Sequence, residues 1–407
     1  PPLLLWVGWT QLCYHRFDAC HETLAALRAQ LAQDDAEGRA HCALLAFSLA
    51  LQEDDLAPVT RLLPEMQAMQ FATDAVLVGG RRNLLGWMYA HAGEYEQARA
   101  VLQGPAPLRE DGSPLLDSPF GQLMADALLG LAWLYENDVR RAEPVLRDAL
   151  AQAERSLGPF SEPACNAAAY LSAALYEGND LDALRQLLDG RRDTIERVVL
   201  PDALLALALV QGRLRRFAGN PREALEGLER LEDVAQRRGL DRLLAFALNE
   251  RVRCLLQMDD AHGARQALHA LQALAARHAG GKSPVSWRIA GLAQHATALL
   301  AISAHDDSAA LAALGEGELG EPPLLHRRDQ CPVRALRAIL LARMGHEEAA
   351  LVVMRDALLQ GQQLGLVRSL LDLGDDLLAL ATRCAQVHGA SDPRLPFYTD
   401  HLHRQAQ

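Results

Sequence analysis

Several groups of residues in this chain have side-chain types that could do chemistry. Gly281-Lys282-Ser283 has the ending of a phosphate-binding loop, in which backbone amides cradle a phosphate and the lysine reaches it. The first glycine of that loop is missing, because Ala276 stands in its place, and a helical pattern precedes the motif where a strand is required. An ordinary loop between helices is the simpler reading. Cys13, His15, Cys20 and His21 are zinc-ligand types within a short span. Adjacent Cys20 and His21 point in different directions on a helix, and Cys20 holds a packing position, so no metal site is expected. His326 with Cys331, and His401 with His403, are sparser pairings. No nucleophile elbow, HExxH or paired-carboxylate pattern occurs, and catalysis is not expected of this segment. Trp6, Trp9 and Tyr14 form an aromatic cluster at helical spacing, suited to a packed first repeat or to an interface with an upstream domain. The doublets Arg81-Arg82, Arg191-Arg192, Arg237-Arg238 and Arg327-Arg328 read as helix-end charges that favour the helix dipole.

The elements that would position these residues are helices. Half of the 407 residues are hydrophobic and only 5% are aromatic. Alanine and leucine dominate, and alternating β-branched runs are nearly absent. The longest apolar run, Ala203–Val210, lies between Asp202 and Arg213, far short of the ~18 uncharged residues that would span a bilayer. A net charge of −12 argues against the segment itself gripping nucleic acid. Seven scattered cysteines (Cys13, Cys20, Cys42, Cys165, Cys254, Cys331, Cys384) read as free thiols of a reducing cytosol. The chain opens without Met on Pro1-Pro2-Leu3-Leu4-Leu5-Trp6, which reads as a fragment of something larger.

A unit recurs along the chain: an apolar helix, a short polar turn, then a second helix with a small residue in its early turn. Cys20, Ala57, Ala98, Ala142, Ala183, Ala224, Ala264, Ala310 and Ala350 mark it, at spacings of 37, 41, 44, 41, 41, 40, 46 and 40 residues. Regular self-similarity of this period predicts an all-α fold, an α-solenoid of about nine helical pairs over residues 1–387, with a C-terminal tail from 388. The Gly-, Pro- and acid-rich stretches Gly104–Pro119 and Gly315–Pro332 are expected as inserted loops, suited to act as flaps over one face.

Leu85-Gly86-Trp87-Met88-Tyr89, followed nine residues on by Ala98, is similar to the tetratricopeptide repeat, with a period longer than the usual ~34 residues. Leu364-Gly365-Leu366-Val367-Arg368-Ser369-Leu370-Leu371-Asp372-Leu373-Gly374 resembles the closing segment of the sensor region in MalT-like, large ATP-binding LuxR-type transcriptional regulators. Leu366 replaces that family's aromatic residue, while Val367, Arg368, Asp372 and Gly374 match. The resemblance implies a bacterial cytoplasmic effector-sensing array whose ATP-binding and DNA-binding parts lie outside this segment. ATP would then act only through the full-length protein, and DNA only through a domain missing here. No cofactor or membrane partner is expected in the segment itself.

In tetratricopeptide-like arrays the first helix of each pair lines the concave groove. Carried onto this chain, the groove positions are Asn83, Trp87 and His91; Tyr135; Ser172 and Tyr176; Arg213, Arg216 and Phe217; Asn249, Arg253 and Gln257; and His295 with Ser303. Aromatic faces there could stack on an apolar or sugar-like body, and the guanidinium forks would suit a carboxylate or phosphate. The resulting expectation is a small organic effector held in the groove. The alternative is a scaffold whose groove binds a peptide or partner helix, with self-association or a protein partner as its consequence. The plain competing reading of the residues is that Trp87 and Tyr135 are core and that the arginines pair with Glu250 or Glu223.

Overall fold

The computed structural model describes residues 2–32, 35–68, 74–106, 108, 112–115, 117–281, 283–315 and 327–406. Among these residues the regular structure is helical, apart from one isolated bridge between Leu108 and Pro114 in the first long insertion. Nine helix–turn–helix pairs follow one another. They are α1 (Pro2–Cys13) with α2 (Phe17–Gln30), α3 (Ala36–Gln52) with α4 (Leu56–Ala68), and α5 (Ala75–His91) with α6 (Tyr95–Leu102). Next come α7 (Pro119–Tyr135) with α8 (Val139–Leu157), and α9 (Glu162–Glu177) with α10 (Leu181–Leu188). A short extra helix, α11 (Arg192–Val198), precedes α12 (Pro201–Phe217) with α13 (Pro221–Arg238). The last three pairs are α14 (Asp241–Gln257) with α15 (Ala261–Arg277), α16 (Pro284–Ser303) with α17 (Asp307–Ala313), and α18 (Arg327–Arg343) with α19 (Glu347–Leu364). The array ends in α20 (Arg368–Leu371), α21 (Asp375–His388) and α22 (Arg394–Ala406). The protein is an α-solenoid. No described helix is long and apolar enough to cross a membrane.

The turns explain the period. In every pair one residue adopts the left-handed conformation: His15, Asp54, Gly93, Asn137, Asn179, Gly219, Asp259, His305 and Gly345, with φ between 53° and 83°. Five positions later stands a buried residue: Cys20, Val59, Ala98, Ala142, Leu184, Ala224, Ala264, Ala310 or Ala350, each at most 2% exposed. Glycine, or Asn, Asp and His where glycine is absent, meets this conformation at the lowest cost. In five of the turns an aspartate follows at once, and in four of these its side chain, that of Asp138, Asp180, Asp260 or Asp306, caps the next helix. This register corrects two of the sequence markers. The second pair is marked by Val59 rather than Ala57, and the fifth by Leu184 rather than the half-buried Ala183. Smallness is therefore not what the position demands; burial is. The spacings of 37 and 41 become 39 and 39, and those of 41 and 41 become 42 and 40.

The glycine of the Leu-Gly motif has a packing role. A Cβ on Gly86 would stand 2.5 Å from Leu102 of the paired helix, and one on Gly130 would stand 2.2 Å from Leu146. First helices also stack on the next first helix, from α5 through α7, α9, α12 and α14 to α16, and one continuous apolar core runs from Leu44 to Leu402. The stretch read as a tail from 388 contains α22, which packs on α19 and α21 and buries Leu395, Tyr398 and Leu402. Pro332 lies within α18, and residues 316–326 of the second insertion, with His326, fall outside the described residues. So does Lys282; Ser283 caps α16, its hydroxyl accepting from the amide of Ser286.

Candidate functional site

The inner faces of the first helices meet one another, and two polar centres occupy that junction. The first is built on Asp202, in the opening turn of α12 and 3% exposed. Trp87 Nε1 donates to its Oδ2 at 2.8 Å, and His91 Nε2 lies 2.9 Å from the same oxygen. The Tyr135 hydroxyl donates to Oδ1, and Arg242 Nη1 stands 2.8 Å from Oδ1. Arg242, at the start of α14, also reaches Asp54 in the α3–α4 turn at 2.9 Å. Burial raises the Asp202 carboxyl, but the Arg242 guanidinium, with His91 and the Tyr135 hydroxyl, outweighs it and holds the group well below the ordinary carboxylate range. The rings of His91 and Tyr135 meet edge to face at 5.8 Å. Trp87 and Tyr135 are 2% and 7% exposed, and their polar atoms are committed to the chain's own aspartate. Asn83, also buried, donates to the carbonyl of Gly121 at 2.9 Å and ties α5 to α7.

The second centre lies where the closing segment returns onto the middle of the array. Gly365 and Gly374, with φ of 76° and 87°, bound a hook whose Leu366 and Leu370 are fully buried. The backbone carbonyl of Glu177 accepts from the Val367 amide at 3.1 Å. Its carboxylate accepts from the Ser369 amide and hydroxyl at 3.0 and 2.7 Å. Asp372 accepts from the Tyr176 hydroxyl at 2.8 Å and lies 3.5 Å from Arg216 and 3.1 Å from Arg368. Arg368 also stacks 3.8 Å above the ring of Phe217, itself 56% exposed. Beside this hook is a cavity of about 110 Å³, lined among others by Arg213, Asn249, Arg253, Arg288, His295 and Asp372. Glu250 pairs with Arg213 at 2.7 Å and lies 3.7 Å from Arg253. Burial would raise its carboxyl, but Arg213, Arg253 and Arg216 outweigh it and hold it down to about 2. Glu177, by contrast, is pushed up by burial. His295 Nδ1 stands 3.0 Å from Asn249 Oδ1.

The structure thus brings Tyr176, Arg213, Arg216, Phe217, Asn249, Arg253 and His295 to one centre, and Trp87, His91 and Tyr135 to another. Besides Asn83, three groove positions stand apart. The Ser172 hydroxyl is spent on the carbonyl of Ala169, Gln257 reaches the carbonyl of Arg216 at 3.3 Å, and Ser303 caps its own helix through Leu300. The groove residues divide between two centres, each with resident carboxylates: Trp87, His91 and Tyr135 gather with Arg242 at Asp202, while Tyr176 and Phe217 lie among the other guanidiniums at Asp372 and Glu250. Sequence reasoning missed Asp202, Arg242 and Glu177. An acid in the first turn of an apolar helix was the available signal for Asp202, and it reads equally well as a helix-dipole charge. Of the N-terminal metal-ligand types, His21 pairs with Glu53 at 2.9 Å and the Cys20 thiol reaches Gly8, so they turn to different partners. All seven cysteines are unbridged.

Fold and site define a tetratricopeptide-like α-solenoid closed upon its own C-terminal hook. No protein-family model matches the chain. Over 160 residues it is 29% identical to the serine/threonine-protein kinase PknK of Mycobacterium tuberculosis, and equally to that of Mycobacterium bovis. The match takes in 39% of this chain and only 14% of the kinase. Among solved structures, a Rap protein complexed with competence and sporulation factor aligns over 99% of this chain and 96% of its own, with a TM-score of 0.45 and 10% identity.

Proposed function

We propose that this chain is an interaction module whose concave face receives an extended segment of a partner protein, and that in the unengaged state the face holds the chain's own hook, residues 365–374. The observation that carries this reading is the treatment of the hook by Glu177. A helix C-terminus offers a carbonyl and a carboxylate to the backbone amides of a non-neighbouring strand of chain, while Tyr176 and Arg216 clamp its aspartate. Amide capture of this kind is indifferent to most side chains and serves an incoming peptide as well as a resident one. An engaged partner would release the hook and, with it, the end of the array that leads onward. Such coupling requires the partner to bind the hook-free arrangement better than the closed one. Within a MalT-like LuxR-type regulator, this would pass a signal to ATP-binding and DNA-binding parts that flank the segment. The reading contains no catalytic step.

The test is segment exchange. In Asp372→Ala the hook loses its clamp, and hydrogen exchange over 365–406 should rise. A labelled peptide copying residues 364–374 should then bind the variant in trans, by fluorescence anisotropy, and bind the parent chain far more weakly. Failure of the peptide to bind a chain whose hook has loosened would sink the proposal.

A second reading, a small anionic effector, rests on the guanidiniums of Arg213, Arg253 and Arg288, which line the cavity together with Glu177, Glu250 and Asp372, while Arg216 and Arg368 reach Asp372 from beside it. The space of about 110 Å³ suits a carboxylate or phosphate group rather than a drug-sized body, which needs roughly 300 Å³ or more. Thermal stabilisation by succinate or phosphate that Arg253→Ala abolishes is the result that supports this reading over peptide exchange.

A further inference from the structure

A second and larger hollow lies in the N-terminal part of the array, lined by residues of α1, α3, α5 and α7 and the start of α9. Its volume is about 470 Å³, within the roughly 300–1,000 Å³ of small-molecule sites. Its walls are almost wholly apolar: the indoles of Trp6 and Trp9, with Leu84, Met124 and Phe120, and the Trp87 side chain at its back. Trp6 and Phe120 are 72% and 45% exposed, an unusual outlay of aromatic surface for side chains that could have packed. Into this surround enters one carboxylate that the fold does not use. Glu162, the first residue of α9, lines the hollow, and among the described residues no hydrogen bond or ion pair reaches its side chain. The other acid of the lining, Asp74, is already engaged by His41 at 3.2 Å and by the Val76 amide that it caps.

We propose that this hollow binds a small amphiphilic amine, with its apolar or aromatic body against Trp6 and Trp9 and its ammonium group paired with Glu162. Three features converge on a cation rather than a neutral or anionic guest. An unpaired carboxylate at an apolar wall is costly until a counter-charge arrives. Indole faces attract ammonium groups through their quadrupole. The chain's net charge of −12 raises the local concentration of cations and disfavours anions. The position of Glu162 in the first turn of α9 favours its charged form, yet burial prevails and pushes its carboxyl up to about 7, as expected of an acid lacking its partner.

Phenethylamine, 2-phenylethanol and 3-phenylpropionate present one aromatic body with three head groups. Calorimetric titration of the chain at pH 8, read alongside tryptophan emission, should show saturable binding of the amine at least tenfold tighter than of the alcohol, and none of the acid. In Glu162→Gln the amine should fall to the level of the alcohol, with the alcohol unchanged. Equal binding of amine and alcohol to the parent chain marks a merely apolar patch and overturns the proposal, whether or not the variant folds. So does an amine preference that survives in a folded Glu162→Gln chain, or the absence of any saturable response.

Discussion

Asp202 answers to four side chains from three other helices, and Arg242 bridges it to Asp54, 188 positions back in the sequence. A buried pair of this kind is worth little against an apolar replacement of both partners, but removing one partner strands the other charge. Asp202→Ala should therefore destabilise the chain by about 3–5 kcal/mol, read from the urea midpoint, and removing the remaining charges with it, as Asp202→Ala with Arg242→Met and Asp54→Asn, should recover part of that loss. Acid sensitivity follows from the same residues. The folded-state values of Asp202 and Glu250 lie below their ordinary values of 3.8 and 4.5, that of Glu250 at about 2. Their contribution is complete above those ordinary values and is lost as pH falls through 4.5 towards 2. His15 acts in the same direction, since burial, aided by Arg238, lowers it to about 4, and protonating it costs stability below its ordinary 6.5. Glu250→Gln should lower stability at pH 7 and flatten its decline between pH 5 and pH 3.

The element that repeats is a turn as much as a helix pair. His305 and Asp259 carry positive φ without being glycine, and both are exposed. Left-handed backbone costs an ordinary L-residue roughly 1–2 kcal/mol, and glycine returns part of that as greater freedom in the unfolded chain. His305→Gly should accordingly stabilise by about 0.5–1 kcal/mol, whereas Gly345→Ala, at φ 83°, should destabilise by a similar amount. Opposite shifts in the denaturation midpoint are the expected pair of results. Gly130→Ala belongs to a different mechanism. Its new methyl meets Leu146, which is fully buried, so the α7–α8 contact must spread at a cost of about 1–3 kcal/mol.

On the scale of the molecule, closure distinguishes this array from an open spiral. α18 touches α7, α20 touches α9, and Asn179 donates to the Gln405 carbonyl at 3.0 Å, so the C-terminal elements rest on the fourth and fifth pairs rather than only on their neighbours. A one-dimensional repeat protein unfolds by pairs, whereas ties of this length couple distant pairs. Tyr176→Phe removes one such tie and leaves the ring in place. It should raise hydrogen exchange across 366–406 while leaving α12–α15 as protected as before. Uniform protection in both regions would mean that closure contributes nothing to the stability of the array's end.

Sequence alone was enough for what depends on neighbours along the chain. Alanine- and leucine-rich helices, a period near forty, and the turns at Gly93, Gly219 and Gly345 follow from local propensity and from the need of each pair to bury its face, whereas the Gly365–Gly374 segment stands out only through its resemblance to a known family's closing segment. Even there Ala183 misled, because it is only half-buried while its neighbour Leu184 is fully buried, and packing, not residue size, decides between them. The site depended on distance in space. Whether Trp87 faces a guest or Asp202, and whether Arg213 faces a guest or Glu250, is set by the curvature with which the pairs wind. Small rotations at every interface add up to that curvature, and no stretch of forty residues records the sum.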